Sequence, residues 1–109
     1  IGNYSISYNG RIKKASKNDK RQELESLYQA VRDYRNGKDT KYSPEAVFDI
    51  LTKYHPEDWL LNIELYELAF DEGQIKFGQE IEKHLSKLSE EKPKLKHLIQ
   101  DGLELIRSA

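Results

Sequence analysis

A chain of 109 residues has the length of one domain, and with 37% apolar and 34% charged residues it reads as a folded protein with long solvated faces, not a disordered tail. The absence of cysteine excludes disulfides, thiolate zinc sites and a cysteine nucleophile. A net charge of −1 and the lack of an apolar run near the roughly 18 residues a bilayer requires weigh against nucleic acid and membrane as partners.

Taken in chain order, Tyr4, Ile6 and Tyr8 alternate with Ser5 and Ser7 and lead into Asn9-Gly10. That pattern predicts a hairpin, because both turn residues tolerate positive φ. Residues 1–17 are therefore read as an N-terminal hairpin and linker, and residues 18–109 as a helical domain. The basic stretch Arg11, Lys13, Lys14, Lys17, Lys20 and Arg21 lies beside two tyrosines. Charge and stacking on single-stranded nucleic acid is one reading of it, and a solvated linker is the plainer one.

Helical periodicity begins after Asn18-Asp19, either of which suits a cap, with Leu24, Leu27, Tyr28, Val31 and Tyr34 on one stripe. Asn36-Gly37 ends it. Ser43-Pro44-Glu45 opens a second helix with a cap, a first-position proline and an early acid. Its stripe is Val47, Ile50, Leu51 and Tyr54, and His55-Pro56 closes it.

A third helix is expected from Pro56-Glu57-Asp58. Trp59, Ile63, Tyr66 and Phe70 form one stripe and Leu61, Leu65 and Leu68 another, leaving Glu64, Glu67 and Asp71 as the polar strip. A helix apolar around most of its circumference belongs at the centre of a bundle. The run from Trp59 to Phe70 is therefore expected to be sequestered there. Phe77, Ile81, Leu85 and Leu88 mark a fourth helix. Ser89 and Pro93 are expected to open a fifth, with Leu95, Leu98, Ile99, Leu103 and Ile106 on its apolar face. Gly102 falls within that face, which predicts close helix packing. The fold class is thus all-α, an antiparallel bundle of five helices after a short hairpin.

No catalytic set emerges. His55, His84 and His97 have no compact ligand spacing, and Glu64-Leu65-Tyr66-Glu67 lacks the histidine of a carboxylate di-metal motif. Tyr28, Tyr54 and Tyr66 sit on apolar stripes, as core or rim residues with the hydroxyl at the edge. No metal ligand, cofactor ligand or catalytic residue is assigned. With no methionine in the chain, the sequence is expected to be part of a longer polypeptide whose chemistry lies elsewhere. The charge is uneven: residues 1–54 hold 11 Lys/Arg and 7 Asp/Glu, and residues 55–109 hold 7 and 12.

The segment Tyr54-His55-Pro56-Glu57-Asp58-Trp59-Leu60-Leu61-Asn62-Ile63-Glu64-Leu65-Tyr66-Glu67-Leu68-Ala69 resembles the C-terminal extension of long bacterial phenylalanine 4-hydroxylases of Bacillus-like and Bacteroidetes-like type. The resemblance is weaker over Tyr4–Ile12 and the last two helices. It implies a cytoplasmic parent that uses non-haem iron and tetrahydropterin to convert phenylalanine to tyrosine. The iron ligands, two histidines and a carboxylate, would lie upstream of Ile1. The chain itself would be an accessory domain docking on its own catalytic domain or forming a homo-oligomer, with Trp59, Tyr66 and Phe70 as interaction anchors. The alternatives are a helical interaction module of an unrelated cytoplasmic protein and a nucleic-acid-binding adaptor.

Overall fold

The computed structural model describes residues 17–108, and the hairpin expected around Asn9-Gly10 lies outside them. All regular structure among the described residues is helical: α1 (Lys17–Arg35), α2 (Pro44–Tyr54), α3 (Trp59–Asp71), α4 (Ile75–Glu91), a 3-10 turn (Pro93–Leu95) and α5 (Lys96–Ser108).

Local chemistry sets the helix boundaries. The Ser43 hydroxyl accepts a hydrogen bond from the Ala46 amide, with Pro44 in the first turn of α2. Asp58 does the same for α3, accepting from the Leu61 amide at 2.9 Å. Gly37 and Gly73 adopt φ of +73° and +70°, where a side chain is strained. Each sits in a Schellman-type closure, with the Lys38 amide donating to the Asp33 carbonyl and the Gln74 amide to that of Ala69.

Three expected boundaries shift. α1 already includes Lys17, so Asn18 and Asp19 lie in its first turn and do not precede it. α3 starts at Trp59, because Pro56-Glu57 forms a turn closed by the Asp58 amide on the His55 carbonyl. Ser89 does not cap the last helix. Its hydroxyl bonds back to the Leu85 carbonyl inside α4. α4 ends at Glu91, where Lys92 takes an extended backbone ahead of Pro93.

The core is one cluster: Leu27 and Val31 of α1, Val47 and Leu51 of α2, Leu61 and Leu65 of α3, Ile81 and Leu85 of α4, and Ile99 and Leu103 of α5. α3 packs against all four other helices. Around it α1 touches α2, α2 touches α4, and α4 touches α5, while α1 and α5 do not meet. The outer helices therefore form an open ring with a gap between α1 and α5. Both run in the same direction as α3. Tyr28 bonds Asp58 near the start of α3, and Arg35 bonds Glu67 near its end. On the other side Gly102 abuts Ile63 and Arg107 reaches Tyr66.

The close packing expected at Gly102 is present. A Cβ there would stand 3.2 Å from Ile63 Cδ1.

Candidate functional site

α3 is central, but it is not sequestered along its whole length. Phe70 is 48% exposed and Leu60 54% exposed, which corrects the expectation for the run Trp59–Phe70. Phe70 lies nine residues after Leu61, roughly half a turn round the helix from the most buried line. Tyr54 is likewise exposed, because it ends α2 beyond Leu51, the last buried position. Leu98 is also exposed, since only its neighbour Ile99 turns inward.

The three expected anchors divide. Trp59 is half-buried and packs on the core. Tyr66 is buried, with its hydroxyl accepting from Arg107 Nε at 3.1 Å. Phe70 alone faces outward, its ring 6.3 Å from that of Tyr66. It forms one wall of a cleft of about 300 Å³ between α3 and α4. Tyr66, Ala69 and Gly78 line its depth, Ile75 and Gln74 its near end, and Gln79 and Glu82 its far end. Glu82 is ion-paired with Arg107, so the cleft ends on a neutralised charge. Ile75 is 72% exposed.

This cleft admits apolar groups and offers two side-chain amides at its rim. It contains no nucleophile with an adjacent base. Ile75, Gly78 and the two glutamines were not singled out from sequence. The available signal was Ile75 itself, an isoleucine placed directly after the Gly73-Gln74 turn and off the Phe77–Ile81–Leu85 stripe.

The histidines are separated. His55 pairs with Glu23 across α1 and α2. His84 bonds the Pro56 carbonyl at 3.1 Å and meets Phe48 edge-on, and His97 is exposed. Among the described residues no three His, Cys, Asp or Glu side chains converge as a metal site. No described helix is long and apolar enough to cross a membrane.

Two tyrosines are tied to carboxylates. Tyr28 donates to Asp58 at 3.1 Å, and its pKa is pushed well up, first by burial and then by the Asp58 charge. Tyr34 donates to Glu72 at 3.0 Å, and that hydrogen bond raises its pKa. The polar strip of α3 is partly used by Arg35, which bonds both the Glu64 carbonyl and the Glu67 carboxylate.

No protein-family model matches the chain, and neither a curated protein nor a solved structure does.

Proposed function

We propose that this chain is a non-catalytic accessory domain of a phenylalanine 4-monooxygenase-like enzyme, and that the α3–α4 cleft docks it on the catalytic domain of its own parent chain. The observation that carries the docking is the exposure of Phe70 and Ile75 beside an apolar cleft in a chain with 34% charged residues. Large apolar side chains over a fitted pocket supply most of the energy of an interface once water leaves. The hydroxylase assignment is supported by the sequence resemblance over Tyr54–Ala69. In this reading iron and tetrahydropterin belong to the catalytic part.

The test uses the full-length parent. It is expected to carry a closely spaced histidine pair upstream and to form tyrosine from phenylalanine, reduced pterin and dioxygen. A parent without that pair and that activity sinks the hydroxylase assignment and leaves a helical interaction module of an unrelated cytoplasmic protein, which rests on the same cleft. Docking has its own readout. Amide exchange over residues 66–79 should slow severalfold when the catalytic part is attached, and Phe70→Lys with Ile75→Lys should abolish the difference. Equal exchange with and without the catalytic part removes it.

A further inference from the structure

We infer that Asn36-Gly37, the pair that closes α1, is a site of spontaneous covalent modification in which the asparagine becomes aspartate or isoaspartate, and that the ties between the end of α1 and α3 set its rate. The α3–α4 cleft takes no part in it, and the site is independent of the hydroxylase reading.

The chemistry needs only water. Asn36 and Gly37 are both exposed. The Gly37 backbone nitrogen attacks Asn36 Cγ and gives up its proton to water. The bond from Cγ to the side-chain nitrogen breaks, ammonia leaves, and a cyclic succinimide remains. Water then adds to one of the two ring carbonyls and a ring C–N bond breaks. Addition at Cγ gives aspartate, and addition at the main-chain carbonyl gives isoaspartate. Water enters, ammonia departs, and nothing is oxidised or reduced.

Glycine makes the attacking nitrogen reachable, because it has no Cβ to crowd the approach. At Gly37 the space a Cβ would take is open, with no contact within 4 Å. The other described asparagines lack this neighbour. Asn18 precedes Asp19, and Asn62, fully buried, precedes Ile63. Asn9-Gly10 lies outside the described residues.

The fold restrains the reaction. The Gly37 amide that must attack donates to the Tyr34 carbonyl at 3.1 Å. The Asn36 amide on one side donates to Arg32 at 3.0 Å, and the Lys38 amide on the other to Asp33 at 2.8 Å. The last turn of α1 has to open before Gly37 can turn onto Asn36. Helix ends open readily, but this one is tied to α3 by the two residues before Asn36. The Tyr34 hydroxyl donates to Glu72 at 3.0 Å, and Arg35 donates to the Glu64 carbonyl and the Glu67 carboxylate. Surface ties of this kind are individually weak, so they slow the reaction severalfold without stopping it. The product is a different chain end for α1. Isoaspartate adds one carbon to the main chain between residues 36 and 37, which displaces the Lys38 amide from the Asp33 carbonyl and undoes the closure.

The test follows amide loss at residue 36 by peptide mass spectrometry, in the whole chain held at mildly alkaline pH. The folded chain should convert Asn36 severalfold more slowly than the same chain in urea. Glu67→Ala with Glu72→Ala cuts the ties from the α3 side and leaves the sequence around Asn36 intact. That variant should react severalfold faster than the wild type when folded and at the same rate in urea. Amide exchange of the core helices confirms that it is folded. Asn36→Gln should remove the reaction at this position. No amide loss at Asn36 in the folded chain over many half-lives of the unfolded one overturns the inference. Equal rates in the folded and urea-treated chains do so too, as do equal rates in the folded wild type and the folded double variant.

Discussion

Gly78 and Gly102 are both helical glycines at helix contacts, yet they should respond oppositely to added atoms. A Cβ at Gly78 would meet Tyr66 at 3.7 Å and Ala69 at 3.9 Å, ordinary contact distances. Gly78→Ala should therefore raise the unfolding free energy by about 0.5–1 kcal/mol through helix propensity, read from a urea titration. At Gly102 the same atom meets Ile63 at 3.2 Å, so crowding offsets the propensity gain. Gly102→Leu should cost about 1–3 kcal/mol, and Ile63→Ala in the same chain should recover part of it. Additive losses in that double variant would show that the Ile63 contact is not the cause. Asn62 presents another residue-scale conflict. It is fully buried, its amide donates to the Asp58 carbonyl at 2.9 Å, and its Oδ1 has no partner among the described residues. A buried unpaired carbonyl costs stability, while a charge there costs more. Asn62→Leu should be close to neutral, and Asn62→Asp should destabilise by about 3 kcal/mol at pH 7.

At the scale of elements, Asp58 joins two of them. One carboxylate oxygen caps α3 and also accepts the Tyr28 hydroxyl from α1. Tyr28 has a folded pKa raised above its ordinary value near 10. The folded state therefore keeps its proton after the unfolded state has lost its own. Its stabilising contribution is complete below pH 10 and falls as pH rises above that value. The wild type should lose stability above pH 10, and Tyr28→Phe should make that loss shallower. An unchanged slope would separate Tyr28 from the alkaline transition, leaving Tyr34, which is shifted in the same direction. The cap at Ser43-Pro44 and the stops at Gly37 and Gly73 were legible because each uses a local rule that needs no partner. Ser89 was misread as a cap because its alternative, the Leu85 carbonyl, exists only once α4 has formed. The cleft was not legible for a related reason. Phe70 fits an apolar stripe, and which sector of α3 stays uncovered depends on how the other helices are placed around it.

At the scale of the molecule, burial on α3 depends on position in the ring more than on residue type. Leu60, Leu61 and Leu65 are the same residue within two turns, yet Leu61 and Leu65 are fully buried and Leu60 is 54% exposed. The periodicity of the sequence identified α3 as central, and α3 does contact every other helix. It could not identify the gap, because Leu60 fell on neither apolar stripe and Leu105 lay off the α5 face. Both leucines are exposed in the folded chain. The packing yields a quantitative contrast. Leu65→Ala leaves a cavity inside the core cluster and should cost about 2–5 kcal/mol. Leu105→Ala should change stability by less than about 1 kcal/mol, the cost typical of a surface site with residual contacts. Thermal or urea unfolding of the two variants decides it. If the two losses were equal, α3 would not be the element on which the other four helices depend.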